Sequence, residues 1–166
     1  MKKIVETSRL ILRELHPNDA QAFYDLNANP NVIRYTGNTA FRDVEEAREF
    51  LENYSDYREH GYGRWAVILK DSGRFIGWCG LKFDVSTQQT DIGFRFFEEE
   101  WGKGYATESA QACLQVGFHR FRLHCIIGRA MKANIASIRV LEKLNLAYEQ
   151  DITLDNEAAV LYKIKK

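Results

Sequence analysis

The sequence lacks a long hydrophobic run and lacks an excess of charge of either sign. A membrane-spanning helix needs about 18 consecutive apolar residues. No stretch of this sequence comes near that length, so no membrane partner is expected. The 23 basic and 23 acidic residues give a formal net charge of zero, which argues against a nucleic-acid partner held by bulk electrostatics. Residues 1–6 turn polar at once and do not resemble a secretion signal, so a cytoplasmic protein is expected.

Cysteine and proline are scarce. The cysteines are odd in number, widely spaced and set in apolar segments, which predicts reduced, buried thiols rather than disulfides. They are Cys79, Cys113 and Cys125. The spacing of Cys125 with His119 and His124 fits no zinc pattern, so no metal is expected. With two prolines, no repeat and no low-complexity tract, residues 1–166 are predicted to form one domain.

Hydrophobic periodicity predicts alternating strands and helices. Strands are predicted over 8–15, 65–69, 75–83, 90–97, 123–130, 147–154 and 159–164. Helices are predicted after Pro17, after Asp43 and over 106–121 and 134–144; Glu46 follows Asp43 at the spacing of a capping box. This order favours the α/β class, with a mixed sheet flanked by about four helices.

The most informative segment is 100–108, EWGKGYATE, which follows a predicted strand and opens a predicted helix. Gly102 and Gly104 let the backbone bend, so that successive N–H groups point to one place. The helix N-terminus adds unpaired donors and positive potential, and together these features suit a pyrophosphate. The pattern is neither a Walker loop nor a dinucleotide fingerprint, and an ordinary loop stays an alternative.

This segment resembles the acyl-CoA pyrophosphate loop, R/Q-x-x-G-x-G/A, of the GNAT superfamily of N-acetyltransferases, with Trp101 in the first position. The variant WGKGYATE is similar to that of the ribosomal-protein N-terminal acetyltransferase (RimJ/RimL-like) branch. Segments 8–13 (SRLILR), 73–81 (GRFIGWCGL) and 134–146 (NIASIRVLEKLNL) are similar to the same branch. The resemblance covers nearly the whole chain in the expected order.

The resemblance implies a GNAT fold and acetyl-CoA as co-substrate. The fourth strand, bulged over 90–97, should splay from the fifth, over 123–130, to open a slot. The pantetheine arm should bind there like an added strand, on backbone groups of Phe94, Arg95 and Phe96. The pyrophosphate should bind the loop formed by Trp101, Gly102, Lys103, Gly104, Tyr105, Ala106 and Thr107. Asn134 should bind the cofactor, and a helix N-cap is its alternative role.

Two residues are expected to be catalytic. The resemblance puts Ser137 near the cofactor sulfur, where its hydroxyl can donate a hydrogen bond to the departing thiolate. Many family members have a tyrosine at the position of Leu141. Asp91 is the candidate general base, and a solvent-facing strand residue is its alternative interpretation. Glu108 favours a structural role, because its charge suits the first turn of a helix.

The predicted activity is transfer of an acetyl group from acetyl-CoA to a primary amine by direct attack. The acceptor is a protein N-terminal α-amine, such as that of a ribosomal protein, or a small amine: a polyamine, an amino compound or an antibiotic. A non-catalytic CoA-binding module is the rival from another class. Residues 27–38, the helix after Asp43 and residues 85–89 should determine specificity. A homodimer through the edge of the closing hairpin stays open.

Several side chains are expected to have structural roles only. The acidic run 98–100 is expected to be solvated surface, and attraction of a cationic amine is its alternative role. Trp65, Trp78 and Phe83 are expected in the core. Asn145 stands where the family usually has glycine, and asparagine is the best substitute in a left-handed helix cap. Gly93, inside a predicted strand, indicates a bulge or a close backbone approach.

Overall fold

A computed structural model describes all residues, 1–166, as an eight-stranded sheet with helices on both faces. The strands are β1 (Lys3–Glu6), β2 (Leu10–Glu14), β3 (Arg64–Leu69), β4 (Phe75–Asp84), β5 (Gln89–Phe96), β6 (Cys125–Met131), β7 (Ala147–Leu154) and β8 (Glu157–Lys165). The helices are α1 (Ala20–Ala28), α2 (Pro30–Ile33), α3 (Val44–Glu52), α4 (Asp56–His60), α5 (Tyr105–His119) and α6 (Ile135–Lys143). Short 3-10 turns span Pro17–Asp19 and Glu98–Glu100. The predicted mixed sheet with about four main helices is confirmed, since α2 and α4 are single turns.

The sheet order is β1-β2-β3-β4-β5-β6-β8-β7, and every neighbouring pair is antiparallel except β5 and β6. These two strands run parallel and share a single pair, Asp91 with Ile127. The predicted splay is therefore confirmed. It lies between the fifth and sixth strands rather than between the fourth and fifth, because the N-terminal segment forms an additional strand, β1. The polar residues of that segment did not predict a strand. The β4–β5 ladder shows no register shift, so the expected bulge is absent from it.

The sheet carries a core on each face. The larger core lies under α5, where Trp65, Leu81 and Ile92 from neighbouring strands are buried against that helix. Alternation along the strands turns the intervening side chains to the opposite face. There, Phe23 of α1 and Leu51 of α3 belong to a smaller core. The cleft described below opens on this second face.

The cysteines are all free thiols. Cys79 and Cys113 are buried with their sulfur atoms 3.6 Å apart, and Cys125 is half-buried. Burial raises the pKa of the Cys113 thiol well above its usual range, and the neighbouring Cys79 raises it further. No group of histidine, cysteine and acidic side chains is arranged to hold a metal ion. None of the helices has the length and apolar character that crossing a membrane requires.

The capping box predicted at the start of α3 forms with one change. Asp43 accepts a hydrogen bond from the Glu46 N–H (2.8 Å), as an N-cap residue does. The Glu46 carboxylate reaches back to the N–H of Arg42 instead of Asp43, so the reciprocal half of the box is displaced by one residue. Asn145 has φ = 66°, which confirms the left-handed geometry after α6.

Asp19 ties the end of β2 to the start of α1. Its carboxylate accepts hydrogen bonds from Arg13 Nη1 (2.8 Å) and Nη2 (2.7 Å), and also from the His16 N–H (2.9 Å). The Asp19 side chain is 8% exposed. This bidentate pair therefore fixes where the first helix packs on the sheet.

We expect Asp19→Asn to lower the free energy of unfolding by about 3 kcal/mol, because the buried Arg13 loses its only charged partner. Asp25→Asn is the matched control on the exposed side of α1 and should change stability by less than about 0.5 kcal/mol. Denaturant unfolding of both variants measures this. Equal effects of the two substitutions would contradict a specific anchoring role for Asp19.

Candidate active site

A cleft of about 630 Å³ opens where β5 and β6 diverge. Its walls come from both strands, from α6, and from the loop of residues 35–41 on the α1 side. Several residues predicted from the sequence line this one cleft: Asp91, Phe94, Arg95, Asn134 and Ser137. Residues of two elements that are distant in sequence, β5 and α6, are thus brought together in one cleft.

The free edge of β5 faces this gap. The Phe97 N–H donates to the Ile76 carbonyl of β4 (3.1 Å), so at Phe97 the backbone is directed to β4. Because strand backbone groups alternate between edges, those of Phe94 and Phe96 point away from β4, into the gap. The backbone of Arg95 points to β4 instead. The prediction that Arg95 offers backbone groups to the cofactor therefore needs correction, and only its side chain lines the cleft.

The loop before α5 presents free donors. None of the six backbone N–H groups of residues 102–107 donates a hydrogen bond within the protein. Gly102 (φ = 74°) and Gly104 (φ = 83°) adopt the left-handed conformation that turns these groups outward. No atom lies within 4 Å of the position a Gly102 Cβ would take. The loop and the first turn of α5 therefore form a cradle for an anion with several oxygens.

Trp101 does not offer a phosphate the side-chain donor that Arg or Gln would offer at this position, because its indole N–H is already used. Its indole N–H donates to the Phe96 carbonyl (3.0 Å), and its side chain is 49% exposed. The contact joins the end of β5 to the start of the loop. This occupies the Phe96 carbonyl and leaves the Phe96 N–H on the open edge.

Arg9 is a site residue that the sequence did not indicate. It donates from Nη1 to the Lys103 carbonyl (2.9 Å), and its guanidinium lies 4.5 Å from the Tyr105 ring centroid. It also donates from Nε to Glu108 (2.7 Å). Arg9 thereby adds positive charge beside the cradle. No local spacing relates residue 9 to residue 103, because the contact depends on the tertiary fold.

Glu108 holds the loop in place. Its carboxylate accepts from Thr7 Oγ1 (2.6 Å) and from the Arg9 N–H (3.1 Å), in addition to the Arg9 side chain. Burial raises the pKa of Glu108, but the hydrogen bonds from Thr7 and Arg9 lower it more, so the carboxylate is ionised at neutral pH. These contacts agree with the structural role expected from the sequence.

The acidic run 98–100 was expected to be solvated surface, but only Glu99 is exposed (68%), whereas Glu98 and Glu100 belong to this support. The Glu100 side chain is only 1% exposed and pairs with Arg74 and with Lys103 (3.1 Å). Burial raises the pKa of Glu100, but these two cations lower it more, so that it lies below its usual range. Glu98 accepts hydrogen bonds from the side-chain amide of Asn31 (3.0 Å). The expectation was wrong because tertiary contacts, not the local charge pattern, decide burial here.

At the start of α6, Asn134 accepts a hydrogen bond from the Ser137 N–H (3.3 Å) through Oδ1. This is the N-cap role. Its amide N–H₂ has no partner within the protein, so it remains available to a ligand. The Ser137 hydroxyl also has no partner, and it lines the cleft. One turn further, Leu141 is buried where a tyrosine would otherwise stand.

Asp91 is paired rather than solvent-facing. Oδ1 accepts from Arg64 Nη2 (2.7 Å) and Oδ2 from Arg129 Nη2 (2.8 Å), with the carboxyl side chain 13% exposed. Burial raises the pKa of Asp91, but the two guanidinium groups lower it more, to below its usual range. A Cβ on Gly93 would lie 2.7 Å from the Arg64 guanidinium, so this glycine allows the close approach that the sequence indicated.

Trp78 was expected to lie in the core, but it also forms part of the cleft wall. The guanidinium groups of Arg64 and Arg95 each lie 5.2 Å from its ring centroid. It is half-buried and lines the cleft. Trp65 is fully buried as expected, and Phe83 is half-buried against the His60 ring. Strand alternation places the two tryptophans on opposite faces of the sheet. Trp78 is paired with Arg95 on the cleft face, and Trp65 belongs to the core under α5.

The chain matches a known family of proteins. Residues 9–147 match the model of the acetyltransferase (GNAT) domain. The chain belongs to the GNAT acetyltransferase family. It is 34% identical to the N-acetyltransferase YnaD of Bacillus subtilis, over 87% of this chain and 83% of that protein. It is accordingly an N-acetyltransferase of GNAT type, and GNAT enzymes use acetyl-CoA.

Solved structures agree on the fold. The GNAT-family acetyltransferase of Bacillus anthracis matches with a TM-score of 0.84 and 28% identity over 97% of each chain. The spermidine N-acetyltransferase of Vibrio cholerae, in complex with CoA and spermine, matches with a TM-score of 0.82 over 96% of each chain. Its identity is 19%, so this second likeness concerns the fold alone. The fold is thus shared across distant sequences.

We expect Gly102→Ala to weaken acetyl-CoA binding at least about fivefold, because an L-residue at φ = 74° costs about 1–2 kcal/mol and moves the N–H groups. Gly61→Ala is a matched control: φ is 83°, the surroundings are equally open, and the position follows α4, at the end of β3 away from the loop. Both variants should lose similar stability, but only Gly102→Ala should change the Kd measured by calorimetry. A similar Kd change in both would contradict a phosphate cradle at residues 102–107.

Proposed function

We propose that this GNAT protein transfers acetyl from acetyl-CoA to a primary amine by direct attack in a ternary complex. One observation carries the proposal: six free N–H groups at the start of α5 lie at the end of a strand whose edge is open. An extended acyl-CoA needs both features, a cradle for its phosphates and an edge for its pantetheine amides.

The chain offers specific groups for each part of the co-substrate. Residues 102–107 would hold the pyrophosphate, with Arg9 beside them. The slot-facing N–H of Phe96 would hold the pantetheine arm, and that of Phe94 would face the thioester carbonyl. The free amide of Asn134 would donate one further hydrogen bond. These groups fit acetyl-CoA because its oxygens are acceptors and every group here is a donor.

Acetyl-CoA supplies an acetyl group activated as a thioester. In the proposed reaction the neutral amine nitrogen forms a bond to the carbonyl carbon, the C–S bond breaks, and the thiolate leaves with its electron pair and takes up, through water, the proton that the nitrogen loses as the amide forms. The Phe94 N–H polarises the carbonyl oxygen, and the Ser137 hydroxyl donates a hydrogen bond to the thiolate. A thiol with a pKa of about 8.5 is a good leaving group with this help alone.

The amine proton needs an acceptor. An α-amine with a pKa of about 8 is already about one-tenth neutral at pH 7, so water can remove its proton before attack. The sequence favoured Asp91 as the base. Both of its oxygens are bound by arginines, however, so we assign it an electrostatic role instead: it neutralises and positions Arg64 and Arg129 at the cleft.

The acceptor class follows from the charge of the cleft. Three guanidinium groups line it, those of Arg64, Arg95 and Arg129, which disfavours a polycation such as a polyamine. A protein N-terminal amine, as in the RimJ/RimL-like branch, and a small amine both remain compatible with it. We propose an enzyme acting in the cytoplasm as a domain of residues 1–166; a non-catalytic CoA-binding module is the alternative outcome of the experiments.

We expect Ser137→Ala to lower kcat by about 10- to 100-fold, because one hydrogen bond to a developing anion contributes about 1.5–3 kcal/mol. The KM for acetyl-CoA should change by less than about threefold, since the contact strengthens only as the thiolate forms. Ser137→Thr keeps a hydroxyl and should retain most activity. The rate of thiol release from acetyl-CoA gives kcat and KM for the unchanged protein and for both variants. An unchanged kcat in Ser137→Ala would remove Ser137 from the mechanism.

The pH dependence separates the two roles of Asp91. Its pKa is lowered, so its carboxylate stays ionised from pH 6 to 9 and does not titrate there. We expect Asp91→Asn to reduce kcat/KM by a similar factor at every pH in this range and to leave the ascending limb, set by the amine, in place. Loss of that limb would show that Asp91 itself titrates in this range and would contradict its electrostatic role.

A further inference from the structure

Arg95 is a cation without an anion. No carboxylate oxygen lies within 4.0 Å of its guanidinium. Its partners are two neutral amide oxygens, Oδ1 of Asn27 at the end of α1 and Oδ1 of Asn38 in the following loop (2.9 Å). The other two arginines of the cleft, Arg64 and Arg129, both pair with Asp91, and Arg129 also lies 3.8 Å from Asp84.

The environment of Arg95 makes this missing charge costly. The side chain is largely buried, and burial together with the neighbouring charge of Arg64 lowers its pKa to about 10. Buried charges in proteins are normally paired, because desolvation is otherwise uncompensated. The protein therefore bears a cost at this position that a bound anion would offset.

The guanidinium is also held in a fixed orientation. Its central carbon lies over the Trp78 ring, and each of the two asparagines accepts a hydrogen bond from one terminal nitrogen. Two of the five N–H donors are used in this way, which leaves three for a ligand. A fixed guanidinium with free donors matches the two oxygens of a carboxylate.

Its position suits the acceptor rather than acetyl-CoA. Arg95 and Gly93 lie on the same face of β5, about 6.6 Å apart along the strand, and this face opens toward α1 and the loop of residues 35–41. The pantetheine edge lies in the plane of the sheet, and the pyrophosphate cradle lies beyond the end of the strand. Residues 27–38, where the sequence predicted specificity, supply the walls.

We propose that Arg95, Trp78, Asn27 and Asn38 form a carboxylate subsite, and that the acceptor is a small primary amine that carries a carboxylate, an amino acid or a close analogue. The inference rests on the proposed acetyl transfer, since it assigns the other end of the same cleft. It separates such zwitterions from polyamines and aminoglycosides, which lack an anionic group. It also disfavours a protein N-terminus, whose α-carboxyl is part of a peptide bond.

The test compares matched ligands. In the presence of CoA, calorimetry measures the Kd of each of the standard amino acids, of its decarboxylated amine and of its carboxamide. At least one amino acid should bind tenfold or more tightly than both its derivatives. Arg95→Gln should reduce that preference to less than twofold. Arg58→Gln, a highly exposed arginine on α4, should leave it unchanged.

Arg95→Lys accompanies Arg95→Gln, because it keeps the charge and loses only the two-pronged geometry; it should retain part of the preference. Thermal unfolding confirms that each variant is folded. The inference fails if no amino acid binds more tightly than its derivatives, or if the preference survives in Arg95→Gln. Thiol release with the same ligands tests acetyl transfer separately: acetylation without a carboxylate preference overturns only the subsite, and binding without acetylation overturns only the proposed reaction.

Discussion

The divergence of β5 from β6 is the constraint on which the rest of the site depends. The strands share one pair, Asp91 with Ile127, and beyond it β5 has a backbone edge with no neighbour. An unsatisfied strand edge inside a protein is costly unless something pairs with it. The same divergence lets α6 deliver Asn134 and Ser137 to the gap. Edge, helix ends and cleft are therefore consequences of one break in the sheet.

Close approaches around this break are permitted by glycine and stabilised by charge. Gly93 leaves room for the Arg64 guanidinium, which pairs with Asp91 and lies beside Trp78. At the other end of β5, Glu108 and Arg9 hold the loop so that its N–H groups stay free. The acceptor face thus carries positive charge in an ordered array, and the loop carries backbone donors. The two ends of the cleft suit different ligands.

Much of this architecture was predictable from the sequence, because it is encoded by local patterns. Helices, hairpins and the WGKGYATE loop follow from periodicity and glycine positions, and Asn145 adopts the predicted left-handed conformation. Contacts between distant segments were not predictable. Arg9 contacts Lys103, and Arg95 contacts Asn27. Glu100 is buried, although the sequence around it does not indicate burial. Such pairs need the tertiary fold, and no single-sequence pattern records them.

The most direct test of this account is amide hydrogen exchange with and without CoA, resolved by residue. We expect new protection at Phe94, at Phe96 and across residues 102–107, where the N–H groups point into the slot or the cradle. Arg95 should be unchanged, because its N–H is directed to β4 in the free protein. Protection that appears elsewhere, with these amides still exchanging freely, would contradict the binding of acetyl-CoA along the open edge of β5.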